Sequence, residues 1–506
     1  MRYIIGEDRC QFHIMNYDEE VGKTHIVRVV DAFVDRLDLK KYNFTYSISS
    51  KTGRKSYNPK SMLKLYIYGY IDGVRTSRKL EKALNESIPY RWLMHDLRPN
   101  FKTIADFRKD NIMNIRSVFL EFNKLCLYAN LIDFELVAID GTYIEAVNHN
   151  QNNYTEKKIK TILKRIKNKF DKEHQKLYPN DKLNEIKIND DELTKLKEDE
   201  AYYNGLLKKM KDEGITQISL TDPDSRMMQK QGSKRDVCFN VQISSDSKNG
   251  LIVETEVCNE GSDSRQLYPL AKKTKDTYAL PEVKVTADKG YGFGKEINKC
   301  NDDNIQTYVP IPKTSSDSRY GKKWKTSNFI YDSETDSVIC PNGNKLTLSY
   351  IRKSKESKEY RNRKACKNCP DRKECTNNNK CGYRTISRSF YADVVVKQQA
   401  INAKSMDILK RRKSIVEHPF GTIKKSMNQG SFLTKGLKSV NGEFTYSALA
   451  YNIKRVYNIL GFDKMMALIN NYFRSSTPKN CYFYKLFENL LYFHPIKANN
   501  SLKMAS

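Results

Sequence analysis

Five short apolar runs constrain the middle of this chain more than any other feature: FELVAID (134–140), CFNVQIS (238–244), LIVETEV (251–257), VKVTADKGYGFG (283–294) and IQTYVPI (305–311). Each is too short for a buried helix and rich in β-branched or aromatic residues, so each predicts a strand. The second and third flank SDSKNG (245–250), whose composition predicts a short turn between antiparallel strands. A helix is expected from about Phe293 to Lys299, between the fourth and fifth runs. Strands interleaved with helices, with acids at strand ends, predict a mixed α/β core.

The flanks have a different period. Residues 1–130 read as helical: Pro59 opens a stretch with Met62, Leu65, Tyr66 and Gly69 at helical spacing, and Thr103 with Asp106 has the form of a helix start. Short helices carrying Arg75, Arg78, Lys79, Lys82, Arg108 and Lys109 fit a helix-turn-helix-like DNA module or an ordinary basic bundle. Residues 155–215 predict a helical hairpin inserted after the first core strand; Ile159, Ile162, Leu163, Ile166 and Phe170 form one stripe and Leu193, Leu196, Tyr203, Leu207 and Met210 the other. A basic, cysteine-rich insertion spans 311–385, so the core comprises 131–310 and 386–465, followed by a helical tail at 466–506.

Charge narrows the partner. Across 506 residues, 89 Lys and Arg oppose 60 Asp and Glu, and the net +29 is spread along the chain. Such a field attracts polyanions, DNA or RNA before an acidic membrane surface. No stretch reaches the roughly 18 apolar residues of a membrane span, and MRYIIGEDRCQF lacks the apolar run of a signal peptide. Eleven cysteines, an odd number, fit cytosolic thiols plus one metal cluster.

Two strand-end acids, Asp140 and Asp288, are followed at once by glycine-bearing turns. A third acid, Glu417, lies in KSIVEHPFGTIKKSM (413–427), where Val416, Phe420, Ile423 and Met427 make one apolar helical stripe and Glu417, Gly421, Lys424 and Asn428 its polar neighbour. Pro419 predicts a kink beside the acid. Three convergent carboxylates would repel unless a divalent cation joined them, and Mg²⁺ prefers such hard oxygens. Two ions about 3.5–4 Å apart suit phosphodiester chemistry. A single Asp after a strand is by default a turn former; Asp222, Asp224 and Asp246 are rivals of that type, and Asp263 reads as a helix cap.

Cys366, Cys369 and Cys375 form a C-x2-C-x5-C array, with Cys340 upstream and Cys381 downstream. The spacing fits a structural Zn²⁺ knuckle or free thiols in a basic loop. Cys10, Cys126, Cys238, Cys258, Cys300 and Cys481 read as small buried apolar groups. His418 reads as a DNA contact or packing residue, because Mg²⁺ disfavours nitrogen.

AIDGTYIEA (138–146), TADKGYGFGKEI (286–297) and VEHPFGTIKKSM (416–427), in that order, resemble the DDE transposases of bacterial insertion sequences with an InsH-like N-terminal domain. RPNFKTIADFR (98–108) is similar to that domain's signature; TDPDSRMM (221–228), the segment 239–270 and FTYSALAYNIKRV (444–456) also match. The resemblance implies an RNase H-like core with Asp140, Asp288 and Glu417 as a metal-binding triad for two Mg²⁺ or Mn²⁺ ions. It implies end cleavage and strand transfer on double-stranded DNA, at terminal inverted repeats and target, by a homodimer in the bacterial cytoplasm, associated with the nucleoid. Lys289, Arg411, Arg412, Lys413, Lys424 and Lys425 are the expected DNA contacts. The chain departs from the family where Lys413 replaces an arginine and Lys410 a tyrosine. A DNA-binding relic without catalysis, or a nuclease without strand transfer, is the alternative expectation.

Overall fold

The computed structural model describes residues 15–47, 56–177, 191–230, 235–312, 322–376 and 382–474. Cys10, Cys381, Cys481 and the tail beyond 474 lie outside them.

The chain begins with helices α1 (Tyr17–Glu20), α2 (Ile26–Asp35), α3 (Pro59–Ile71), α4 (Ser77–Glu86), α5 (Ile88–Leu93), α6 (Phe101–Asn111) and α7 (Ile115–Tyr128). Strand β1 (Val137–Glu145) follows, then β2 (Asn153–Thr155), α8 (Glu156–Leu177), α9 (Asp191–Asp212) and β3 (Gln217–Ser219). Next come β4 (Arg226–Gln229), β5 (Arg235–Asp246), β6 (Ile252–Cys258), α10 (Leu267–Thr277), β7 (Val283–Thr286), α11 (Gly294–Asp302) and β8 (Ile305–Tyr308). The cysteine-rich region holds β9 (Ile330–Asp332), β10 (Ser337–Ile339), β11 (Lys345–Arg352), β12 (Ser357–Arg361), α12 (Arg363–Lys367), α13 (Arg372–Cys375) and β13 (Thr385–Ser389). Helices α14 (Ala392–Lys404), α15 (Met406–Gly421) and α16 (Leu437–Arg474) close the described chain.

The fold is mixed α/β. One sheet has strand order β4-β5-β1-β7-β8, with β6 also on β5; a second runs β13-β12-β11-β10-β9. β1 joins β7 in parallel, Val137 opposite Val285, and β7 joins β8 in parallel through the α11 crossover. β5 and β6 form the antiparallel hairpin that SDSKNG predicts.

Two units divide the chain: Met1–Asp133, Asp140–Gly261 and Ile415–Ser506 in the first, Phe134–Ile139 and Ser262–Ser414 in the second. β1 and α15 each run from one into the other.

In the first unit the helix starts follow local chemistry. Pro59 sits at the first position of α3, where its missing N–H costs nothing, and Asn58 caps the turn. Asn100 caps α6 by accepting the Thr103 amide at 2.8 Å. The expected start at Thr103 is therefore corrected: Phe101 and Lys102 are already helical. Aromatic rings fill the core, with Tyr66 stacked on Phe107 and Tyr70 on Tyr446, centroids 6.1 and 5.4 Å apart. Ile159 of α8 packs with Leu206 and Met210 of α9 and Ile218 of β3, which holds the expected helical hairpin.

Two cations of the expected basic helices are buried. Arg75 bonds Glu443 at 3.2 Å and the Ser431 carbonyl at 2.9 Å, while Arg108 donates to the Arg75 carbonyl and lies over the Tyr66 ring. Glu443 is fully buried and also accepts from the Leu433 and Thr434 amides. Sequence reading placed these arginines only on basic helices; Glu443 of α16 gives Arg75 an internal partner, and the Arg75 carbonyl serves Arg108. Removing one member of such a buried pair typically costs about 3–5 kcal/mol.

The second unit contains α10, β7, α11, β8 and the β9–β13 sheet. That sheet extends to Ser389, past the expected boundary at 385, because β13 pairs with the whole of β12. In the first unit α16 crosses the expected boundary at 466; its break falls at Gly461, φ 73°.

Gly442 of α16 permits a close backbone approach: a Cβ there would lie 2.2 Å from the Ile112 carbonyl oxygen. Gly442→Ala should therefore destabilise the protein by about 1–3 kcal/mol. Gly205→Ala, where a Cβ meets nothing within 4 Å, should be neutral or slightly stabilising. Thermal denaturation of the two variants checks this; equal melting temperatures would contradict it.

Candidate active site

Asp140 was expected to close its strand, and the structure corrects this. β1 continues through Thr142, Tyr143 and Ile144 to Glu145, so Asp140 is an interior strand residue, half-buried after the fully buried Ile139. The β-branched and aromatic residues beyond Gly141 prolong the strand.

Asp288 lies just past β7. Its Oδ1 accepts the Gly290 amide at 2.7 Å and caps a single 3-10 turn, Lys289–Tyr291. A Cβ on residue 290 would come within 2.9 Å of that oxygen, so glycine lets the carboxylate sit there. Asp288 is half-buried and belongs to the second unit, whereas Asp140 and Glu417 belong to the first.

Glu417 is exposed on α15, and the stripe beside it is buried as predicted: Val416, Phe420, Ile423 and Met427. Pro419 stays inside the helix, but it has no amide for the Ile415 carbonyl. The wider π-helical turn Thr422–Ser426 follows directly, closed by the Met427 amide on the Thr422 carbonyl at 3.0 Å. Such turns change which face the following residues present.

That change turns Lys424 toward β1. Its ammonium donates to Thr142 Oγ1 and, at 3.2 Å, to the Tyr143 carbonyl. Burial lowers its pKa, the Lys230 charge adds to this, and Asp140 opposes it, so the ammonium lies within electrostatic reach of Asp140. The chain then runs along β1: Glu145 donates its amide to the Gly430 carbonyl at 3.3 Å, and Phe432 donates to the Glu145 carbonyl at 2.8 Å. The segment carrying Glu417 is thus fastened to the strand carrying Asp140.

Lys230 is a further charge that sequence reasoning missed. It bridges Glu145 at 2.5 Å and Asp236 at 3.2 Å, and nothing in QKQGSKRD marks it out; only the β4–β5 register brings it to β1. Among the other expected cations, Lys289, Arg411, Lys413 and Lys425 are exposed and Arg412 is half-buried. Arg411 lies 3.8 Å from Glu135 within the second unit.

The rival acids have structural roles. Asp222 is fully buried and accepts the Gly436 amide, and Asp224 accepts the Leu437 amide at 2.9 Å, so together they cap α16. Asp246 accepts the Lys248 amide in the β5–β6 turn. Ser262, not Asp263, caps the short turn at 263–265.

Cys340, Cys366, Cys369 and Cys375 line one cavity in the second unit. Burial pushes the Cys375 thiol up to about 11, and the other three thiols add to it. Among the described residues no group of three or more His, Cys, Asp or Glu is arranged to hold a metal ion. Cys126, Cys238 and Cys300 are buried as expected, while Cys258 is half-buried. No helix among the described residues is long and apolar enough to cross a membrane.

His418 is exposed and hydrogen-bonded to its neighbours. Its Nδ1 meets the Tyr451 hydroxyl at 3.0 Å, and that hydroxyl donates to the Gly250 carbonyl at 2.9 Å. The hydroxyl must therefore accept from Nδ1–H, which leaves Nε2 as the acceptor facing Arg455 at 3.4 Å. Burial, then the Arg455 charge, lowers the His418 pKa below 6.5. The unfolded chain binds this proton more readily, so stability falls as pH drops below 6.5 and levels off below the folded value. His418→Gln should flatten the pH dependence of the melting temperature between about pH 7.5 and about pH 5.5. An unchanged slope would contradict this assignment.

Comparison with known families matches residues 15–110 to a transposase domain (DUF772) and residues 339–457 to a transposase DDE domain. Comparison with curated proteins returns no match. Among solved structures, a cryo-EM piggyBac transposase synaptic complex with hairpin DNA aligns at 8% identity over 95% of this chain and 88% of that one. Its TM-score of 0.32 carries no argument about fold. Both matched segments are transposase domains, the second a DDE domain that contains Glu417, and together they support a DDE transposase.

Proposed function

We propose that this transposase belongs to a bacterial insertion sequence, binds the element's terminal inverted repeats as a homodimer, and carries out both end cleavage and strand transfer. Its β1–β8 sheet and surrounding helices are read as an RNase H-like core. One observation carries the catalytic reading: Lys424 and Gly430–Phe432 bind the Glu417 segment to the Asp140 strand.

Transposases of the DDE class use divalent metal, and we assign Asp140, Asp288 and Glu417 as the residues that would hold two Mg²⁺ or Mn²⁺ ions. The donor set fits hard cations, since all three offer carboxylate oxygen and none is fully buried. The bound ions would supply activation of the attacking oxygen and charge stabilisation of the leaving one. The protein's own residues position the DNA. Exposed Lys289, Arg411, Lys413 and Lys425, with Arg412, meet backbone phosphates. Lys424, tied to β1, supplies a fixed positive charge near Asp140 and holds the strand and helix in register.

Asp140→Asn, Asp288→Asn and Glu417→Gln should each lower metal-dependent cleavage and joining of a terminal-repeat oligonucleotide by about a hundredfold or more, the scale of several kcal/mol. Repeat binding should persist in all three. Full cleavage by any of them would remove that residue from the site, and cleavage without joining by the wild type would make the protein a nuclease.

Binding should also weaken steeply with salt, each neutralised phosphate contributing about −0.9 to the log–log slope. Lys425→Ala should reduce that slope by about one such unit. An identical slope would show that Lys425 meets no phosphate.

A further inference from the structure

The segment from Trp324 to Ser389 has its own core, formed by Trp324, Phe329, Val338, Leu346, Tyr360 and Ile386 with Cys375. This is few buried side chains for five strands and two short helices. Units of this size, below about 70–80 residues, usually need a disulfide or a metal to hold their fold. The cysteines here are free thiols, not disulfides.

Four of those thiols line one cavity. Cys340 leaves β10 into a tight turn in which the Gly343 amide bonds the Cys340 carbonyl at 2.8 Å and Gly343 has φ 78°. Cys366 lies on α12, Cys369 just after it and Cys375 on α13. All four line a cavity of about 30 Å³ that Trp324 and Arg384 also line. That is about the space of one small ion or water. Arg384 is buried and bonds the Cys375 carbonyl at 3.1 Å, so a positive charge already stands beside the sulfurs.

We propose that Cys340, Cys366, Cys369 and Cys375 bind one structural zinc ion that holds the 322–389 unit together. As they stand the thiols line the cavity but are not gathered into a ligand set. Binding would draw the four sulfurs to about 2.3 Å from a common centre in the tetrahedral geometry zinc favours. It would release the thiol protons to solvent and leave a doubly negative cluster, which Arg384 partly offsets. Four sulfur donors also suit iron, so the identity of the metal is part of the claim. The proposal is independent of the catalytic reading, because metal content is measured without DNA.

The full-length protein, purified without chelator and without added metal, should contain about one zinc per chain by elemental analysis. Titrating its thiols with a mercurial should release that zinc. Cys366→Ser and Cys369→Ser should each lower the content at least tenfold, while Cys126→Ser, in the first unit, should not. A folding defect in these variants would leave the wild type as the deciding case: cobalt grown into the same protein should give the absorption bands of a tetrahedral four-thiolate site. Zinc below a tenth of an equivalent, iron in its place, or a cobalt spectrum without thiolate bands would overturn the proposal.

Discussion

A lysine ammonium that leaves bulk water must find fixed oxygen partners, and Lys424 finds them on β1, at Thr142 and Tyr143. Much of the candidate site follows from that need. The lysine reaches the strand from the π-turn that follows Pro419. Once it reaches, Ile423 and Met427 are buried behind it, and the chain continues along β1 as far as Phe432. Glu417, one turn above the break, is left on the exposed side of the same helix.

The buried Arg75–Glu443 pair works in the same way within the first unit. Glu443 gathers a guanidinium and two backbone amides from the loop after Phe432. That loop continues from the segment bonded to β1, so the helical region and the strand share one set of polar contacts. The buried pair is neutral in sum, so the net +29 rests on the other residues and suits a polyanion.

Much of this was legible in the sequence. The apolar runs located β1, β5, β6, β7 and β8 because short buried strands have few alternatives, and the stripe from Val416 to Met427 gave the buried face of the Glu417 helix. What escaped depended on distant partners. Arg75 and Arg108 read only as members of basic helices, and their burial depends on Glu443 of α16 for Arg75 and on the Arg75 carbonyl for Arg108. Lys230 has no local signature, since its role depends on strand register. The extension of β1 beyond Asp140 was missed because Gly141 resembled a turn signal, although Thr142, Tyr143 and Ile144 are good strand formers.

The central claim is that Asp140, Asp288 and Glu417 act as one divalent-metal centre. Iron(II) substituted for magnesium, with ascorbate and peroxide, cuts a polypeptide beside the residues that hold the ion, and mass spectrometry locates the cuts. The predicted result is three clusters of cleavage, around residues 140, 288 and 417, all suppressed by excess Mg²⁺. Cuts at only one or two of these positions, or cuts that Mg²⁺ does not suppress, would contradict it.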